Sequence, residues 1–177
     1  MIISLVGYMG SGKTHIAKSL GQKLGLKIID LDKEISLRHH LSVNEIFQTK
    51  GEIFFRKQER AILLELLATQ QHCILSLGGG TPCYYNNMET INEFSESVFL
   101  RATVSTLNKR LAEKRESRPL IARVDKADLP EFIAKHLFER NPYYAQAKLI
   151  IDTDLLSPHE VADSIIQRLH LLPNHSD

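Results

Sequence analysis

An α/β fold, with a five-stranded parallel sheet and helices on both faces, is predicted from three features of the chain. Short apolar runs lack the polar alternation of a half-exposed strand; segments of helical period separate them; and a glycine-rich turn joins the first run to the first periodic segment. The apolar runs are residues 2–6, 27–29, 73–77, 98–100 and 149–151. Strands covered on both faces read as uninterrupted apolar runs, because neither face meets water. Helical periodicity is clearest over residues 16–24, 60–67 and 161–169. Strands alternating with helices give a parallel sheet, whose ligands gather beyond the carboxyl ends of the strands.

At 177 residues the chain suits one compact domain with room for a cleft. That domain is expected over residues 1–171, with 172–177 a frayed tail. Basic and acidic side chains balance at 22 to 21, so neither a nucleic-acid nor a membrane surface is expected. The apolar start, residues 1–6, is too short for a spanning helix and reads as a buried strand. Cys73 and Cys83 match neither a redox pair nor a zinc site and read as packing thiols of a reducing compartment. His39-His40 has no second ligand cluster at metal spacing and reads as a solvated helix end.

Residues 7–14, Gly-Tyr-Met-Gly-Ser-Gly-Lys-Thr, complete the pattern G-x-x-x-x-G-K-[ST] between a strand and a helix. The glycines let successive N–H groups turn inward, and the helix start adds its positive dipole end. Polyphosphate is the expected occupant: Gly10, Ser11, Gly12, Lys13, Thr14 and His15 form the nucleotide cradle, Lys13 reaches the β- and γ-phosphates, and the Thr14 hydroxyl faces Mg²⁺. This loop alone does not separate kinases from other nucleotide-binding proteins.

Past the second run, Asp30 and Asp32 place two carboxylates near that loop. One can support Mg²⁺ and the other can orient an acceptor hydroxyl; Asp-x-Asp after a strand is equally the pattern of a helix cap. Further on come Ile46-Phe47, Gly51-Glu52-Ile53-Phe54-Phe55-Arg56, Gly78-Gly79-Gly80, Arg118-Pro119-Leu120 and Arg140-Asn141-Pro142-Tyr143-Tyr144. An arginine fork suits a carboxylate, and consecutive glycines let a ring lie against bare backbone.

In this order, from Val6 to about Thr153, the motifs resemble those of the shikimate kinases. The resemblance implies a P-loop kinase architecture with a mobile lid. It implies transfer of the γ-phosphate of ATP, with Mg²⁺, to the 3-hydroxyl of shikimate, a step toward chorismate and the aromatic amino acids. A cytoplasmic monomer is expected, with no nucleic-acid or membrane partner. The resemblance also implies roles for individual residues. Asp32 is base or orienter and binds the ring hydroxyls; Asp30 supports the Mg²⁺ shell. Arg56 and Arg140 clamp the substrate carboxylate, braced by Glu59. Gly78, Gly79 and Gly80 face the ring, and Phe47 walls the pocket. Arg118 swings over the phosphates from a charged lid at about residues 112–125. Members of the family often carry a basic residue after the last strand that stacks on adenine. Here the stretch is Asp152-Thr153-Asp154-Leu155-Leu156, so base contact is expected from Arg110 and from Leu155 or Leu156. The nearest alternatives are another P-loop metabolite kinase, such as a gluconate or nucleoside monophosphate kinase, and a non-catalytic ATP-binding module. The two arginines with the triple glycine argue against a nucleotide acceptor, and a sensor has no need of Asp32, Arg56 and Arg140 together.

Overall fold

Each apolar run becomes a strand: β1 (Ile2–Val6), β2 (Lys27–Asp30), β3 (Cys73–Ser76), β4 (Glu96–Arg101) and β5 (Leu149–Asp152). The computed structural model describes residues 1–113, 121 and 124–171 of the chain. All neighbouring strands pair in parallel, in the order β2-β3-β1-β4-β5. Leu77, expected to close the third strand, lies just beyond it. Its N–H donates to the Leu5 carbonyl at 3.1 Å and its side chain stays buried.

Seven helices connect the described strands: α1 (Lys13–Leu24), α2 (Leu31–His39), α3 (Val43–Thr69), α4 (Asn87–Phe94), α5 (Val104–Ala112), α6 (Leu129–Tyr144) and α7 (Pro158–Arg168). They divide unequally over the sheet. Ile3 and Leu5 of β1, with Val98 and Leu100 of β4, pack against Ile16 and Leu20 of α1 and Val161 and Ile165 of α7. The alternate residues Ile2 and Val6, with Leu75 and Phe99, face the larger core formed by α2 to α6. Burial on both sides explains the apolar runs of β1, β3 and the centre of β4.

Helix α3 breaks at Gly51, whose φ of 81° and ψ of 169° lie outside the helical region and are strained for any residue with a Cβ. The break lets Phe47 before it pack on Phe55 after it, with ring centroids 4.5 Å apart. Strand register then places the site. Asp30 and Leu5 both pair with Ser76, so β1, β2 and β3 end level, and the loops that follow them emerge at one edge of the sheet. This is where the strand order reverses direction, the expected ligand crevice of such sheets. No helix among the described residues is long and apolar enough to cross a membrane.

Candidate active site

The loop between β1 and α1 closes on itself through Ser11 N–H, which donates to the Tyr8 carbonyl at 3.2 Å, while His15 and Ile16 N–H both donate to Gly12 at 3.0 Å. Gly12 caps α1 with φ 98°, a left-handed conformation that a side chain would strain. Lys13 Nζ lies back along the loop, donating to the carbonyls of Gly7 at 2.6 Å and Tyr8 at 2.9 Å. The Ser11 hydroxyl is buried with no hydrogen-bond partner among the described residues. Arg110 of α5 ties the loop to the end of β5, donating to the carbonyls of Gly10 at 3.3 Å and Thr153 at 3.1 Å.

A cleft of about 640 Å³ opens over this loop. Gly10, Ser11, Gly12, Lys13, Thr14, His15 and Arg110 line it on the phosphate side, and Asp30, Asp32, Gly78 and Gly79 on the acceptor side. The structure separates the paired aspartates. Asp30 is the N-cap of α2, its Oδ1 accepting from Lys33 N–H at 3.2 Å. Asp32 is the second residue of the helix, in its first turn, and does not cap it. Burial, reinforced by the nearby charges of Asp30 and Glu59, lifts Asp32 from the usual carboxylate range to about 6, although Lys13 and Arg56 pull the other way.

The two arginines converge from different helices. Arg56 of α3 donates to buried Glu59 at 2.8 Å, and Glu59 accepts a second hydrogen bond from the Thr81 hydroxyl at 2.6 Å. Asn87 fixes Thr81 by donating to its carbonyl at 2.8 Å, and Arg60 in turn donates to Asn87 at 2.6 Å. Arg140 of α6 lies over the Tyr8 ring, 5.6 Å from its centroid. One turn along, the Tyr144 hydroxyl donates to the Gly79 carbonyl; one turn back, His136 Nδ1 meets the Tyr8 hydroxyl at 3.1 Å. Burial pushes the Tyr8 phenol up to about 12 and Tyr144 higher still, so both remain neutral donors. The stripe His136, Arg140, Tyr144, at helical spacing, thus joins the phosphate loop to the acceptor floor. Arg140 and Tyr144 belong to a motif legible in the sequence; Tyr8 and His136 carry no local signal, and only their packing shows them.

The triple glycine also serves the side chains around it. None of Gly78, Gly79 or Gly80 has a positive φ. What they provide is space. A Cβ on Gly78 would stand 2.9 Å from Asp32 Oδ1, on Gly79 3.5 Å from Arg140 Nη1, and on Gly80 2.6 Å from Arg56 Nη2. Gly78 and Gly80 therefore each make room for a charged side chain of the site itself, whereas a Cβ on Gly79 would meet Arg140 at ordinary contact distance. With φ −90° and ψ −19°, Gly80 could take alanine without backbone strain. Gly80→Ala is expected to displace the Arg56 fork and raise KM for shikimate about ten- to a hundredfold, the worth of a charged hydrogen-bonded contact, while KM for ATP stays at the parent value. Steady-state kinetics on both substrates checks it.

Phe47, like Arg56, Arg140, Glu59 and Gly80, is not among the residues that line this cleft; it stacks on Phe55 and stands 5.8 Å from the Arg56 guanidinium, brought there across the break at Gly51. Leu155 is 95% exposed and outside the cleft, whereas Leu156 lines it beside Pro158. Arg118 and most of the expected lid lie outside the described residues; Ile121, within that stretch, is fully buried in the larger core.

The family profile for shikimate kinase matches residues 9–170. The chain belongs to the shikimate kinase family. It is 47% identical over 153 residues to the shikimate kinase of Flavobacterium johnsoniae, covering 85% of this chain and 89% of that one. It is 44% identical to that of Flavobacterium psychrophilum, over 92% and 95% of the two chains. The crystal structure of the shikimate kinase from Bacteroides thetaiotaomicron superposes with a TM-score of 0.91 at 36% identity, covering 97% of this chain and 99% of that one. That of the Acinetobacter baumannii shikimate kinase in complex with shikimate superposes with a TM-score of 0.87 at 29% identity, covering 96% and 92%. Membership makes this an ATP-dependent kinase, and the cleft suits the Mg²⁺ that the family uses. Thr14 and Asp30 present hard oxygen donors to it from the phosphate and acceptor sides, and no three metal-binding side chains cluster among the described residues. Such a site suits an ion that keeps waters and shares the substrate's phosphates rather than one caged by protein.

Proposed function

We propose that this kinase phosphorylates shikimate at its 3-hydroxyl with Asp32 as the group that orients and deprotonates the hydroxyl. The observation that carries this reading is the position and charge of Asp32: it lines the cleft opposite the phosphate loop, and burial holds its pKa at about 6. A base poised just below neutral pH is ionised when it must accept a proton, yet basic enough to draw it. Arg56 and Arg140 hold the acceptor carboxylate in bidentate contacts, fixing which ring hydroxyl faces the γ-phosphorus. That oxygen bonds to phosphorus, the bond from phosphorus to the β-phosphate bridging oxygen breaks, and the proton passes to Asp32. Lys13 leaves the Gly7 and Tyr8 carbonyls for the phosphate oxygens, and Arg118 adds charge from the lid at about residues 112–125. Thr14 and Asp30 would hold Mg²⁺, which neutralises charge on the phosphates. Ser11, with its buried unpartnered hydroxyl, and the flanking N–H groups cradle those phosphates. We also propose one domain over residues 1–171, acting as a cytoplasmic monomer in the route to chorismate.

The direct test is an ADP-release assay offering shikimate, gluconate, AMP or no acceptor. Turnover above the acceptor-free rate with shikimate alone is expected; equal rates with gluconate or AMP would sink the assignment of the acceptor site. The pH profile is a second test. Because protonated Asp32 cannot accept the proton, kcat/KM is expected to fall about tenfold per pH unit below about 6 and to level off above it. In Asp32→Asn the residual activity should lose this limb.

A further inference from the structure

We propose that Tyr84 is a positioning residue that holds the Arg56 fork in place from the solvent side. Glu59 grips Arg56 from within the core, but on one nitrogen only, Nη1. The buried Nε has no hydrogen bond among the described residues; Glu52 stands 3.5 Å from it in an ion pair. Tyr84 closes this side. Its ring lies 4.3 Å from the guanidinium carbon, closer than Phe55 at 5.1 Å or Phe47 at 5.8 Å, and its hydroxyl donates to Glu52 at 2.9 Å. The aromatic face attracts the cation, and the hydroxyl pins the carboxylate that faces Nε.

The backbone around Tyr84 is fixed to deliver that ring. Before it, a 3-10 turn at Thr81–Cys83 follows Gly80, with Cys83 N–H donating to the Gly80 carbonyl at 2.9 Å. After it, Asn87 N–H donates to the Tyr84 carbonyl at 2.9 Å, and two successive non-glycine residues, Tyr85 at φ 51° and Asn86 at φ 55°, are held in the left-handed region. Such strain persists only where the surroundings enforce it, and here buried Asn87 anchors the turn to Thr81 and Arg60. The segment after the triple glycine thus returns over the arginine that Gly80 makes room for.

This inference rests on the reading that Arg56 binds the shikimate carboxylate, and the experiment separates the two. Tyr84 is 38% exposed, so Tyr84→Leu is expected to fold and melt as the parent does. It should raise KM for shikimate about three- to thirtyfold, with kcat and KM for ATP within about twofold of the parent, because only the orientation of Arg56 is loosened. Tyr84→Phe keeps the stacked ring and should recover most of the affinity, while Arg56→Lys should raise KM in every background. Parent-like KM in Tyr84→Leu beside a raised KM in Arg56→Lys would overturn the role of Tyr84 and leave the acceptor site standing. Parent-like KM in both would overturn the acceptor site, and the inference with it. Damage in Tyr84→Phe equal to that in Tyr84→Leu, or an equal rise in both KM values, would also overturn it.

Discussion

Asp32→Asn is expected to lower kcat by about two to four powers of ten, the usual worth of a positioned general base, while ATP still binds. The same variant should be more stable than the parent near pH 7.5. Folding favours the protonated form of Asp32, since its carboxyl moves from the usual range near 4 to about 6. Its charge therefore costs nothing below about pH 4, costs more as pH rises toward 6, and costs its full amount above that. A shift of that size corresponds to about 2–3 kcal/mol, which the amide would restore. Thermal melts at pH 7.5 and pH 4 should accordingly show a higher Tm for the variant at the first pH and little difference at the second. An unchanged rate would mean that Asp32, like Asp30, only serves the start of α2. An unchanged Tm difference across pH would mean that its burial imposes no charge penalty.

Lys13→Ala is expected to lower kcat by about three powers of ten, because it removes a charge that meets the phosphoryl group most strongly in the transition state. The residue also donates to the carbonyls of Gly7 and Tyr8, so the loop must find new partners for them. Lys13 itself lines the open cleft, so water can enter where its ammonium stood, and the fold should survive. Circular dichroism should match the parent while single-turnover phosphoryl transfer collapses. A variant that turns over normally would remove Lys13 from the reaction.

The reach of sequence reasoning differs from element to element. β1, β3 and the centre of β4 were legible because burial on both faces leaves an uninterrupted or nearly uninterrupted apolar run, whereas β2, an edge strand with Lys27 and Ile28 exposed, shows only the short run Ile28-Ile29. The phosphate loop was legible because its chemistry is carried by contiguous backbone. Helices α2, α4 and α5 are only eight or nine residues long and leave little length in which a period can show. Their buried anchors are few, Leu31 and Ile35 in α2 and Leu107 and Leu111 in α5, and two residues do not define a repeat. α7 begins earlier than its apolar period, at Pro158, because Ser157 and Glu160 form a reciprocal cap.

By itself the sequence determined the sheet, the cradle and the family to which the chain belongs, since each rests on residue types in a fixed order. The tertiary structure alone decided which aspartate of the pair caps a helix and which carries the charge in the cleft. It also showed that Gly78 and Gly80 yield space to Asp32 and Arg56, that Phe47 stacks on Phe55 beside the arginine, and that Leu156 rather than Leu155 borders the cleft. These are contacts between residues distant in the chain, set by the register of β1, β2 and β3 and by the break at Gly51. A spacing pattern specifies local conformation, whereas the neighbour a side chain meets depends on how whole elements pack.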